Sequence, residues 1–321
     1  MVKVVLLFRG GLGDGIVLQP AIAELRTSLP SNNIVLIGNP AAASVLHSFG
    51  LVDEFITLDE EPWWSFCKGD GQDHKCWEII DSADLVISWL ADQNGTLLKK
   101  MVDRGRIHIH LGCVWKAGEQ PGFLQDDLSE IRPVSSWFAA YLQPLGIKRD
   151  VSDPELIPSS SAYVEAKNIM CGCHGPWYTI HPGASCPDKC WPIECWAQVV
   201  KIIQARTNYL ALILLGPNEM ESMAYIQSSF KDLQHRIIAD VKLSVMGALI
   251  ADGKVHLGND TGPSHLAAAV GGPVVAIFNE QSDPSLWAPQ GNRVSVVHAA
   301  RGLSNLSPNQ VLSAVFEQIN Y

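Results

Sequence analysis

The sequence predicts an α/β protein built from two parallel-sheet domains, and three observations carry that prediction. Short β-branched runs alternate with segments of helical period nearly throughout the chain, the pattern of parallel strands joined by covering helices. The 321 residues suffice for two domains of roughly 150 residues each. A stretch rich in Pro and Ser, Val151–Ser161, lacks any hydrophobic period and reads as the linker region. The expected domains are therefore 1–155 and 156–321.

In the first half, strands are expected at Lys3–Phe8, Asn33–Ile37, Glu54–Thr57, Leu85–Ser88 and Arg106–His110. Between the first two, Ile16, Leu18, Ala21, Leu25 and Leu29 recur at helical spacing until Pro30 stops the helix. This half reads as a Rossmann-like unit. In the second half the order is strand Trp177–His181, helix Ile193–Thr207, strand Leu210–Leu215, helix Glu219–Phe230, helix Leu243–Ala251, strand Gly253–Gly258, helix Ser264–Val270 and strand Val274–Phe278. Two such units are expected to face each other across a cleft.

Composition narrows the function. With 47% hydrophobic and 17% charged residues the chain is globular, and no run approaches the ~20 apolar residues of a membrane span. The opening VKVVLLF is short and runs straight into Arg9-Gly10-Gly11, without the small-residue cleavage site of a signal peptide, so a cytoplasmic protein is expected. A net charge of −10 argues against nucleic-acid binding. The one basic stretch, Lys99, Lys100, Arg104 and Arg106 followed by His108 and His110, reads as a solvated helix face and end. Its other reading is a patch for an anionic acceptor or a peripheral membrane contact.

Five of the eight cysteines fall between Cys171 and Cys195, but their spacings do not make the paired CxxC of a structural zinc site. Buried free thiols are the simpler reading, with a metal held by Cys171, Cys173, Cys186 and Cys190 as the alternative.

Four Gly-containing loops follow strands. The first, Arg9-Gly10-Gly11-Leu12-Gly13-Asp14-Gly15, combines glycines that permit positive φ and close approach to a ligand with a helix N-terminus that favours negative charge. It does not fit GxGxxG, and the second strand ends in Gly38-Asn39-Pro40 without a ribose-binding acid, which argues against a nicotinamide cofactor. Its Asp14 stands at the carboxyl end of a strand, or serves merely as an N-cap. The second loop runs from His181 to Pro192; Ser185, backbone amides and Lys189 could converge there on a phosphate. The third, Leu215-Gly216-Pro217-Asn218-Glu219, offers a carboxylate for two ribose hydroxyls or for the positive end of a helix. In the fourth, Gly258-Asn259-Asp260-Thr261-Gly262-Pro263-Ser264-His265, a helix beginning near Pro263 would put the Thr261 and Gly262 amides where a diphosphate binds. His265 lies one turn in. Together the loops suggest a nucleotide-diphosphate ligand.

In order and spacing, RGGLGDGIVLQPAIAELRTSLP, HPGASCPDKCWPIECWAQVV, LLGPNE, the Leu243 segment and GNDTGPSHLAAAVGGPVVAIF resemble the ADP-heptose:lipopolysaccharide heptosyltransferases, glycosyltransferase family 9. The resemblance implies a GT-B architecture of two Rossmann-like domains and inverting transfer of a heptose from ADP-heptose to a glycan or glycolipid hydroxyl. It implies Asp14 as general base, Lys189 on the donor's phosphates and Glu219 on its ribose. Asp260, Thr261, Gly262 and His265 fall on the diphosphate and sugar, and Gly11, Gly13 and Ser185 complete the nucleotide-sugar contacts. It implies no cofactor and no metal, in keeping with the lack of a DxD pair, and a last helix, after about Pro308, that returns to the first domain.

The chain departs from the family where Cys190 replaces a usually basic residue and Asn279-Glu280-Gln281 a Gly-Pro-Thr-like turn. Residues 1–150 hold 13 Lys+Arg against 19 Asp+Glu. These departures admit a second reading, another nucleotide sugar with a small-molecule or protein acceptor. A sugar-nucleotide epimerase and a non-catalytic binding protein are the more distant ones.

Overall fold

The computed structural model describes residues 2–29, 32–66, 73–90, 96–103, 108–110, 134–140, 142–146 and 151–320. The chain clusters into two compact units, Met1–Ser152 and Asp153–Tyr321.

The first unit runs β1 (Val2–Phe8), α1 (Leu12–Ser28), β2 (Asn32–Gly38), α2 (Pro40–Ser48), β3 (Glu54–Thr57), α3 (Trp63–Ser65), α4 (His74–Asp81), β4 (Leu85–Ser88), α5 (Thr96–Asp103), β5 (His108–His110) and α6 (Val134–Ala140). Its strands are parallel in the order β3-β2-β1-β4-β5. Val4–Phe8 is buried throughout because β1 is the central strand, covered on both faces. The winding reverses between β1 and β4, and ligands of such sheets sit beyond the strand ends at that point. The loop after β1 occupies it. Lys99 and Lys100 lie on α5, whereas Arg104, Arg106 and the start of the expected Arg106–His110 strand lie outside the described residues.

Helix α1 begins at Leu12, four residues before its apolar period is evident, because the Asp14 carboxylate accepts the Gly11 N–H at 2.8 Å and closes the first turn. Gly13 and Asp14 are thus helical. The loop glycines also do not take the positive φ expected of them. Space is their role instead: a methyl on Gly15 would stand 2.8 Å from Ala42 Cβ, so the glycine lets α1 and α2 touch.

The second unit runs α7 (Ser160–Ile169), β6 (Trp177–His181), α8 (Ile193–Arg206), β7 (Leu210–Leu215), α9 (Met223–Ser229), β8 (His235–Ala239), α10 (Leu243–Ala251), β9 (His256–Asn259), α11 (Gly262–Ala269), β10 (Val274–Phe278), α12 (Pro284–Trp287), β11 (Val294–His298) and α13 (Pro308–Asn320). Its parallel strands order as β11-β10-β9-β6-β7-β8, the same winding with one strand more, reversing between β6 and β9. The expected linker is shorter than its composition suggests, since Ser159 Oγ accepts the Ala162 N–H at 3.2 Å and caps α7.

The core of this unit packs Tyr178, Ile180 and Ile213 of the sheet against Trp196, Val199 and Ile203 of α8 and Val311, Leu312 and Val315 of α13. The Trp191 and Trp196 rings meet edge to face with centroids 5.0 Å apart, a pairing worth about 0.5–1.5 kcal/mol beyond area burial. Trp191 Nε1 also donates to the Leu306 carbonyl at 3.3 Å, fixing the end of the loop after β6. No helix among the described residues is long and apolar enough to cross a membrane.

Candidate active site

In the second unit the register sets His181 of β6 beside Gly258 of β9, and Asn259 beside Ile277 of β10. The segments that leave β6, β9 and β10 therefore start at one level, at the carboxyl edge of the sheet around the switch point. Residues far apart in sequence meet there.

Lys189 closes a 3-10 turn, Pro187–Lys189, and its Nζ lies 2.6 Å from Asp260 Oδ2. The same carboxylate oxygen accepts the Ser282 hydroxyl at 2.8 Å, so Asp260 joins three segments while remaining buried. Directly after it, Thr261 is the N-cap of α11 and Gly262 its first residue. A helix start leaves its first amides unpaired and carries positive partial charge, so Thr261 and Gly262 present N–H groups beside the Lys189 ammonium. That combination can receive an anionic diphosphate.

His265 stands in the first turn of α11 and is buried. Burial holds its pKa down to about 4, against the pull of Asp260 and with Lys189 adding to the lowering. It is a neutral imidazole at pH 7, a hydrogen-bonding group rather than a second cation. Ser185 is exposed on the loop after β6.

Glu219 ends a 3-10 turn, Pro217–Glu219, and α9 starts only at Met223, later than the helix expected from Glu219. Its Oε2 accepts the Gly216 N–H at 2.8 Å, and the residue is buried. Its charge reaches His181, whose pKa is nevertheless lowered by burial, with Nδ1 3.0 Å from the Leu214 carbonyl oxygen. Cys190, at the position where a basic residue was expected from the family, is a protonated thiol: burial, then Glu219 and Cys186, push its pKa up.

Two asparagines hold the frame, and sequence reasoning gave neither a role. Asn259 Nδ2 donates to the Pro182 and Gly183 carbonyls at 2.8 and 3.1 Å while Oδ1 accepts the Trp191 N–H at 3.2 Å. Asn279 Nδ2 donates to the Asp188 carbonyl at 3.1 Å, and its Oδ1 accepts the N–H groups of Gln281 and Ser282. The Asn279-Glu280-Gln281 departure thus builds its own turn and delivers Ser282 to Asp260. Asn259 stands inside the Gly258–His265 loop motif, so an Asn at the end of a buried strand was the available signal.

Asp14, with Gly11 and Gly13, sits in the first unit at the start of α1, at the switch point of that sheet. The cysteine tetrad does not converge. Cys173 Sγ lies 3.1 Å from Arg236 Nη1, whereas Cys186 and Cys190 flank the turn at Lys189. Among the described residues no group of three or more His, Cys, Asp or Glu side chains could hold a metal ion.

Two doubly wound units with Gly-containing loops at their switch points are the architecture of the GT-B glycosyltransferases. Residues 126–313 match the model of glycosyltransferase family 9 (heptosyltransferase). The chain belongs to that family and is a glycosyltransferase. Lipopolysaccharide heptosyltransferase 3 of Escherichia coli strain K12 is 21% identical over 296 residues, covering 86% of this chain and 82% of that protein. The glycosyl transferase family 9 structure from Veillonella parvula DSM 2008 superposes with a TM-score of 0.77 at 20% identity, over 99% of this chain and 97% of that one. The E. coli ADP-heptose lps heptosyltransferase II gives 0.76 at 17% identity, over 99% of each chain.

Proposed function

We propose that the enzyme moves a heptose, or a closely related sugar, from ADP-heptose to a hydroxyl of a glycan or glycolipid acceptor in lipopolysaccharide core or related glycan synthesis. The observation that carries this reading is the meeting of Lys189, Asp260 and the start of α11, with Glu219 on an adjoining strand end. The similar proteins support the donor and acceptor class, since they are a lipopolysaccharide heptosyltransferase 3 and an ADP-heptose lps heptosyltransferase II.

Transfer is a single displacement. The acceptor hydroxyl gives its proton to the Asp14 carboxylate as its oxygen bonds to the anomeric carbon, and the bond from that carbon to the diphosphate breaks with its electron pair leaving on the phosphate oxygen. Lys189 and the Thr261 and Gly262 amides balance the charge that develops there. The Asp14 carboxylate is pre-aimed by its hydrogen bond from Gly11. The step calls on no divalent metal, because ammonium and helix end supply the positive charge. A glycolipid acceptor would be met at the inner face of the cytoplasmic membrane, with Lys99 and Lys100 on α5 as candidate contacts.

The excess of acid in residues 1–150 favours a second reading, a family member using another nucleotide sugar and a small-molecule or protein acceptor. Thermal stabilisation by a panel of nucleotides and nucleotide sugars separates the two, since a ligand of the folded state raises the midpoint by mass action. Selective stabilisation by ADP and ADP-heptose over UDP and GDP compounds is the expected result. Preference for another base overturns the donor assignment.

A further inference from the structure

We infer that Gly183 is a positioning residue for Glu219, and that through it the loop after β6 sets the enzyme's preference for a nucleotide with ribose hydroxyls. This rests on the reading that the donor nucleotide occupies this loop cluster.

The Glu219 side chain lies over the Cα of Gly183. A methyl at that position would stand 2.7 Å from Glu219 Cγ and closer still to its Cδ and Oε1. Both partners are tethered where they stand. The Gly183 carbonyl and the Pro182 carbonyl before it are both held by Asn259 Nδ2, whose other end holds Trp191. On the opposite side Glu219 Oε2 is held by the Gly216 N–H, within a turn that follows directly from β7. Hydrogen is therefore the one substituent at 183 that leaves the carboxylate where it is.

The conflict a larger residue creates falls on the end of a side chain rather than on backbone, so it is relieved by swinging the carboxylate away. The fold survives and the acceptor group leaves its place. With Oε2 engaged by Gly216, the carboxylate keeps the remaining lone pairs for ligand donors, which suits adjacent hydroxyls of a furanose.

Calorimetric titration of the full chain with ADP and with 2′,3′-dideoxy-ADP tests this on wild type, Gly183→Ala, Glu219→Ala and the double variant. Wild type prefers ADP, and Gly183→Ala loses about tenfold to a hundredfold of that preference, as removal of a charged hydrogen bond does. The double variant is no worse than Glu219→Ala alone, because the displaced carboxylate is already absent. A Gly183→Ala chain that keeps the wild-type preference, or losses that add in the double variant, overturns the inference. If Glu219→Ala also leaves the preference unchanged, or wild type shows none, the donor reading has failed with it; loss in Glu219→Ala alone sinks only the role of Gly183. Should Gly183→Ala fail to fold, the double variant decides: a melting midpoint equal to that of Glu219→Ala supports the carboxylate as the clashing group, and an unfolded chain refutes it.

Discussion

Lys189 Nζ lies 2.6 Å from Asp260 Oδ2, across 71 residues of sequence, and this pair ties the loop after β6 to the start of α11. Asp260 is buried, and the same oxygen also accepts the Ser282 hydroxyl, whereas Lys189 keeps 32% of its side chain in solvent. The pair thus stands between the exposed and the buried limit.

Lys189→Ala should cost about 1–2 kcal/mol of stability, between those limits. Urea unfolding measures it. The same variant should bind ADP more weakly and turn over more slowly, since the diphosphate loses its ammonium. A chain with unaltered stability would mean that solvent screens the pair fully.

Asp14→Asn separates the two tasks of that side chain. An amide oxygen still accepts the Gly11 N–H, so α1 and the melting midpoint should be preserved. The proton acceptor is gone, and kcat should fall by ~10²–10⁴ while ADP affinity is kept. Steady-state turnover of the variant at wild-type rates would remove Asp14 from the role of base.

Acid should unfold this enzyme early. His256 is fully buried, its Nδ1 2.9 Å from Thr179 Oγ1, and burial, with His181 adding to it, lowers its pKa from 6.5 to about 3. The unfolded chain takes up this proton as the pH falls through 6.5, and the folded chain does so only near 3. The stability present above pH 6.5 is therefore lost progressively between those values, amounting to about 2 kcal/mol from His256 alone at pH 5. His265 and His181 act in the same direction. Denaturant midpoints measured from pH 7.5 to 5 should decline, and a flat profile would contradict the buried neutral histidines.

Tyr178 carries a hydroxyl into the core with no hydrogen-bond partner among the described residues. Removing an unsatisfied buried hydroxyl relieves its desolvation penalty, so Tyr178→Phe should stabilise the protein by about 1 kcal/mol. Differential scanning calorimetry would register this as a higher midpoint. A lowered one would point to a partner for the hydroxyl.

The sheets were legible in the sequence mainly where strands are buried, although the partly exposed edge strand Glu54–Thr57 was legible as well. Glu54–Thr57, Leu85–Ser88, Trp177–His181, Leu210–Leu215 and Val274–Phe278 stand where the sequence puts them. The strands that escaped notice, His235–Ala239 and Val294–His298, are the two edges of the second sheet. An edge strand is half solvated, so its apolar residues no longer form a continuous run. Helix α7 was hidden because its capping serines look like linker composition.

The site was legible as a set of loops, because Gly, Pro, Asn and Asp punctuate strand ends for local reasons. Its geometry was not. That Lys189 reaches Asp260, that Ser282 joins them, and that Asn259 holds both arms of one loop depend on strand register across 22 to 77 residues, which spacing along the chain does not encode.

The Asn259 clamp has a further consequence. Both ends of the segment 182–191 return to one side chain, while Ser185, Cys186 and Pro187 between them are exposed. The segment is in effect a ring with a fixed mounting. Its crown can be exchanged residue by residue without disturbing the hinge points, because the closure is made by backbone groups that any sequence supplies. Exchanges at Ser185, Cys186 and Pro187 would therefore leave the graft points of the segment already paired.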